Sequence, residues 1–225
     1  MANNDRAEAL ANPASLRTKQ LLDLLDTLGP ESPELAALDT EAVAANIDPN
    51  TLGKGDLTRL LLAIDRLSSG GGNVDVTQVQ PATFARLIGR ASKGQLADVL
   101  GKPRLRTVIL DEIFRRMGEH LRADRAADTR AVVHWRFTGG SGEGGYDRYE
   151  TVIENGSCAV TKSPNAHGKG ATPRVSITLT PADFLQLITG KASAPLLFVT
   201  GKLKVKGDLA FAAGMMGLFD LPKAD

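Results

Sequence analysis

TPADFLQLITGKASAPLLFVTGKLKVKGDLAFAAGMMGLF, residues Thr180 to Phe219, spells out a helix, a strand and a second helix in one run. Thr180-Pro181-x-Asp183 is a helix start: a hydroxyl to cap the first turn, a proline where no N–H is needed, and an acid at the third position. The helix it opens sends Phe184, Leu187 and Ile188 inward and stops at Gly190. KLKVK then alternates, so Leu203 and Val205 face a core while Lys202, Lys204 and Lys206 face water. Asp208 caps a closing helix, Leu209 to Phe219, built from small residues around the pair Met215-Met216. Such a helix would serve as plain core or as a lid over something oily. Methionine adapts to varied apolar shapes, which favours the lid only modestly.

Upstream of this stretch the same period of two recurs four times. AVVHWRF puts Val133, Trp135 and Phe137 on one face and Val132, His134 and Arg136 on the other. YETVIENG puts Tyr149, Thr151 and Ile153 together and ends in Asn155-Gly156, a hairpin turn signal. SCAVTK follows with Cys158 and Val160 on one side, and RVSITLT with Val175, Ile177 and Leu179. Strands with one apolar face need a cover, and the flanking helices supply it. The second half is therefore α+β, with five strands.

Before residue 130 the pattern is helical throughout. Residues 1–15 read as a flexible leader, and Ser15 as the cap of a helix from Leu16 to Leu28. Further helices are expected over Pro33 to Asn46, Leu57 to Leu67, Pro81 to Arg90, Lys93 to Leu100 and Arg104 to Leu121, with SSGGGNVD (Ser68 to Asp75) as a loop. This gives three segments: the leader 1–15, an all-α region 16–102, and an α+β domain 103–225. Charge divides in step with them. Residues 1–100 carry 9 Lys+Arg against 13 Asp+Glu, a net of −4, and residues 101–225 carry 18 against 13, a net of +5.

Composition narrows the function classes. At 42% hydrophobic and 24% charged the chain is that of a globular protein, and a net charge of +1 offers nothing to nucleic acid. One cysteine excludes an internal disulfide and fits a reducing compartment. The N-terminus lacks an apolar signal-peptide core, and no segment approaches the ~18 consecutive apolar residues of a membrane helix. A cytoplasmic location is expected.

The motifs of catalysis are missing. His120, His134 and His167 have no metal-ligand spacing, so no metal site is expected. Gly140-x-Gly142-x-x-Gly145 matches a dinucleotide fingerprint in letters only, because a strand and not a helix follows it. Cys158, alone on an apolar strand face, reads as core. Asp111-Glu112 sits at salt-bridge spacing from Arg115 and Arg116 and reads as a helix surface. No catalytic residue and no cofactor are expected; the protein is read as a non-enzyme.

The Thr180-Pro181-x-Asp183-Phe184 start, the Thr189-Gly190-Lys191 exit and Gly201-Lys202-Leu203 through Gly207-Asp208 resemble the C-terminal half of a sterol carrier protein type-two domain. AVVHWRF and RVSITLT fall in that family's order, so the resemblance covers about residues 103–220. It implies a five-stranded sheet covered by helices on one face, with an apolar tunnel holding sterols, fatty acids, fatty acyl-CoA or phospholipids, and no catalytic residues. Residues 1–100 resemble the helical extension of bacterial members. By position, the tunnel would be lined by Trp135 and Phe137 from the first strand and Val175, Ile177 and Leu179 from the fourth. Phe184, Leu187 and Ile188 would join them from the middle helix, Leu203 and Val205 from the last strand, and Phe211, Met215, Met216 and Phe219 from the closing helix. Taken singly, each of them reads first as plain core. The loops GGSGEGG and SPNAHGKG have no counterpart in the pattern, which leaves the tunnel mouth unplaced. Lipid binding or transfer is the leading expectation, with transient membrane-surface contact. The alternative is a protein-interaction scaffold or an accessory subunit of a lipid-metabolising enzyme.

Overall fold

The computed structural model describes residues 3–69, 75–162 and 172–220. Most of the expected SSGGGNVD loop and all of SPNAHGKG lie outside the described residues. The chain divides into two compact units, the first up to Arg106 and the second from Thr107 onward.

The first unit is helical: α1 (Asn3–Ala11), α2 (Thr18–Thr27), α3 (Thr40–Asn46), α4 (Asp56–Ser68), α5 (Pro81–Arg90) and α6 (Lys93–Leu100), joined by short 3-10 turns. Its core is the leucine stripe of α2 and α4, where Leu21, Leu22, Leu25, Leu60 and Leu67 are buried. Two local expectations need correction. The expected leader instead forms α1 and buries Leu10 completely; a single apolar residue among alanines carries too little periodicity to announce it. Ser15 closes a 3-10 turn, Pro13–Ser15, and α2 starts three residues later, where the Arg17 N–H donates to Gln20 Oε1 at 3.0 Å. The helix expected over 33–46 is likewise two pieces. Asp39 accepts from the Ala42 N–H at 2.9 Å, so α3 restarts there after a 3-10 turn at Pro33–Ala37.

A long helix, α7 (Pro103–Glu119), which belongs to the second unit from Thr107 onward, and a short one, α8 (Ala123–Ala126), lead into β1 (Ala131–Thr138). β2 (Tyr146–Glu154), β3 (Ser157–Lys162) and β4 (Val175–Leu179) follow, then α9 (Pro181–Ile188), α10 (Ala194–Val199), β5 (Lys204–Gly207) and α11 (Leu209–Met215). The sheet order is β3-β2-β1-β4-β5, with β1 and β4 parallel and the other pairs antiparallel. This is an α+β fold with a five-stranded sheet. Asn155 and Gly156 both take positive φ, 51° and 71°, which is the geometry the β2–β3 hairpin requires.

Sheet register sorts the side chains by face. Trp135 sits opposite Tyr149 and Ile177, and Ile177 opposite Val205, all turned toward the helices. Phe114 of α7 packs onto this face: its ring stacks on Tyr149 at 4.2 Å and meets Trp135, Phe137 and Phe184 at 5.6 to 5.9 Å. The other face is polar, with Arg136 opposite Arg148 and His134 hydrogen-bonded to Glu150 at 2.8 Å. On α9 the inward positions are Phe184 and Leu185; Leu187 and Ile188, expected inward, are half-buried.

The α7 charge cluster also differs from expectation. Glu112 and Arg116 are buried, and Glu112 accepts from Arg116 Nε at 2.5 Å and from Arg115 at 2.7 and 2.8 Å. Asp111 accepts from the Tyr149 hydroxyl and from Lys162, both at 2.6 Å, which ties α7 to the outer strands. The letters showed the spacing of an ion pair but not its burial.

Candidate functional site

Within the second unit an apolar cavity of about 270 Å³ opens between the sheet and the last helices. Trp135, Ile177, Leu203 and Val205 form its floor. Leu187 of α9, Ala194, Pro195 and Phe198 of α10, and Leu209, Ala212, Ala213 and Met215 of α11 form its walls, with Met216 beyond them. No side chain in this lining is polar apart from the Trp135 indole N–H. That group points away to work, donating to Thr151 Oγ1 at 3.2 Å in the core.

Local chemistry holds these walls in place. Thr180 caps α9 by accepting from the Asp183 N–H at 3.0 Å, and its hydroxyl donates to Asp183 Oδ2 at 2.6 Å. Asp208 caps α11 by accepting from the Phe211 N–H at 2.8 Å, and it also accepts from Arg174 at 2.8 and 2.9 Å. The Phe211 amide and the Arg174 guanidinium together hold the Asp208 carboxyl below its usual range. Arg174 lies 4.3 Å over the Phe211 ring, so one arginine fixes both the cap and the first turn of α11.

Of the side chains expected to line a tunnel, Trp135, Ile177, Leu187, Leu203, Val205, Met215 and Met216 surround this cavity. Phe137, Val175, Leu179 and Phe184 are not in its lining; they are buried. Phe219 is buried in a bridge to Leu121 at the far end of α7, Phe211 lies under Arg174, and Ile188 is half-buried on α9. α10 is the part the sequence reading missed. Ala194, Pro195 and Phe198 belong to a helix that no periodicity in SAPLLFVT announces.

No titratable group lies in the cavity wall, so it offers containment and no acid, base or nucleophile. Elsewhere, burial pushes the Cys158 thiol up to about 11, which keeps it protonated and unreactive at neutral pH. Among the described residues no group of three or more His, Cys, Asp or Glu could hold a metal ion, and no helix is long and apolar enough to cross a membrane. The GxGxxG match is a tight β1–β2 connection: a Cβ on Gly140 would sit 2.3 Å from the Asp147 nitrogen.

The model of the SCP-2 sterol transfer family matches residues 110–220, the whole of the sheet and its helices from Leu110 onward. The second unit is a domain of that family. A fatty acid-binding protein of Yarrowia lipolytica is 50% identical over 44 residues, 20% of this chain and 34% of the relative. Hydroxysteroid dehydrogenase-like protein 2 of Pongo abelii is 28% identical over 111 residues, 49% of this chain and 25% of the relative. Among solved structures, sterol carrier protein 2 from Yarrowia lipolytica in its apo form is 28% identical, with a TM-score of 0.40, covering 51% of this chain and 91% of that one. The matches span about a third or less of these curated relatives.

Proposed function

We propose that the sterol-transfer-family domain binds the hydrocarbon part of lipids in the α9–α10–α11 cavity, as a carrier and not as a catalyst. The observation that carries this reading is the cavity wall: apolar on every side and free of any group that could do chemistry. Fatty acids, fatty acyl-CoA and sterols share what such a wall selects, an apolar body with its polar group left outside. The region 103–225 is proposed as the lipid-binding unit, with Trp135, Ile177, Leu203, Val205 and Met215 as ligand contacts. A cytoplasmic location belongs to the same proposal.

Titration of the full chain with fatty acids of increasing length is the test. Affinity should be micromolar, about −8 kcal/mol, and should rise by up to about 0.8 kcal/mol per methylene until the cavity is full. Because no cation lines the wall, a methyl ester should bind within a few-fold of the acid of the same length. Absence of binding at every length overturns the reading. Residues 103–225 expressed alone should fold and show the same series; a folded fragment without affinity would overturn the assignment of the site to this region.

A second reading, an accessory unit serving a lipid-metabolising enzyme, is favoured by one finding. A relative called hydroxysteroid dehydrogenase-like protein 2 matches over a quarter of its own length, so this kind of domain occurs joined to other chain. Native mass spectrometry separates the two readings: a bound lipid mass supports the carrier, and a stoichiometric protein adduct supports the accessory unit.

A further inference from the structure

Among the described residues of the second unit, the large apolar side chains left open to water are gathered in one place. They are Leu196, Phe198 and Val199 on α10, 58%, 47% and 83% exposed, and Leu209 at the start of α11, 54% exposed. Of the six residues of α10 only Leu197 is buried. Phe198 and Leu209 also line the cavity, so the exposed patch and the cavity rim are one continuous apolar surface. Nothing in core packing requires a helix to turn three large apolar side chains outward, and water penalises each of them.

The span of chain that carries α10, from Asp183 to Asp208, holds charges of one sign between those two acids. Between Asp183 and Asp208 the chain contains no Asp or Glu and four lysines, Lys191, Lys202, Lys204 and Lys206, all exposed. Lys191 and Lys202 flank α10 on either side. Lys202 has only a long 3.8 Å contact with Asp183, which an incoming anion can replace.

We propose that the α10 edge docks on a bilayer surface carrying anionic headgroups. Leu196, Phe198 and Val199 enter the acyl boundary, Lys191 and Lys202 meet the lipid phosphates, and the cavity rim then faces the lipid. An apolar tip with a basic collar is the pattern of an interfacial contact, and six residues are far too few to span about 30 Å of hydrocarbon. A second copy of this chain fits less well, because a two-fold contact through α10 would bring the same lysines against each other. The proposal rests on the cavity being a lipid site.

The test is flotation of the full chain with vesicles of phosphatidylcholine alone and of phosphatidylcholine mixed with phosphatidylglycerol. Binding should favour the mixed vesicles and fall with added salt. Replacing two exposed residues outside the cavity wall, Leu196→Asp with Val199→Asp, should weaken vesicle binding at least about tenfold while the melting temperature stays put. Lys191→Gln and Lys202→Gln should each cost about fivefold on mixed vesicles and little on phosphatidylcholine. Unchanged vesicle binding by the double Asp variant overturns the proposal, and so does equal binding to the two vesicle types. A wild-type dimer in sedimentation that the same variant splits, with no vesicle binding, assigns the patch to a second copy and also overturns it. Monomeric fatty-acid affinity, measured without vesicles, keeps the two readings apart: its loss with docking intact would strike the cavity reading and leave the docking edge standing.

Discussion

Truncating Phe114 to alanine is expected to lower the stability of the sterol-transfer-family domain by about 3–5 kcal/mol. Phe114 is 1% exposed and touches four aromatic rings, stacked on Tyr149 and Phe184 and edge-on to Trp135 and Phe137. Losing it removes the apolar area and leaves a void, and it also removes pair geometry worth about 0.5–1.5 kcal/mol per ring beyond area. The neighbours cannot collapse into the gap. Tyr149 is held by its hydroxyl on Asp111 and Trp135 by its indole on Thr151, so each ring would break a hydrogen bond to move. Urea unfolding followed through Trp135, the chain's one tryptophan, reports on this core directly. Phe114→Leu should cost clearly less. An alanine variant within 1 kcal/mol of wild type would mean that α7 does not anchor the sheet.

What the sequence makes legible here follows from which physical rules act locally. Alternation fixes the face of every strand, because a slip of one residue would expose Val133, Trp135 and Phe137 together. The Asn155-Gly156 turn and the Thr180-Pro181-x-Asp183 start are equally local, since each works through bonds within three or four residues. α10 is illegible for the opposite reason. Its apolar residues point outward as well as inward, so no polar face marks it as a helix, and Pro195 reads as a break where it in fact occupies the first turn. The buried Glu112 escapes for a related cause: spacing tells that two charges can meet, and only the packed structure tells whether water reaches them.

The candidate site is half legible by the same logic. Strand parity names the inward residues but not which of them face a void. Phe137, Leu179 and Phe184 point inward as surely as Trp135 and Ile177 do, yet they are not in the lining of this cavity, and Phe137 and Phe184 pack against Phe114. The cavity exists where α10 and the small residues Ala212 and Ala213 of α11 fail to fill the space above β4 and β5. An absence of side-chain volume depends on three elements at once, and no single stretch of sequence encodes it.

Glu112→Gln is expected to destabilise the domain by about 3–5 kcal/mol at neutral pH, because it removes the buried carboxylate charge that faces the Arg116 guanidinium. Arg115 is partly exposed and can turn to water or to Glu119, so the loss falls mainly on Arg116. The pH dependence tests this cause. Burial alone would push the Glu112 carboxyl up, but hydrogen bonds from Arg115 and Arg116, with their charges, outweigh it and hold the group below its ordinary value. A carboxyl depressed in the folded state contributes stability that is present above the unfolded value, about 4.3, and lost as pH falls through the folded one. The gap between wild type and Glu112→Gln in urea midpoint should therefore be widest near pH 7 and close in acid, where wild type too carries a neutral Glu112. A gap that stays constant down to about pH 3 would assign the loss to packing instead. Replacing the pair together, Glu112→Leu with Arg116→Met, should recover most of the lost stability, since two apolar side chains in that slot leave no charge to solvate.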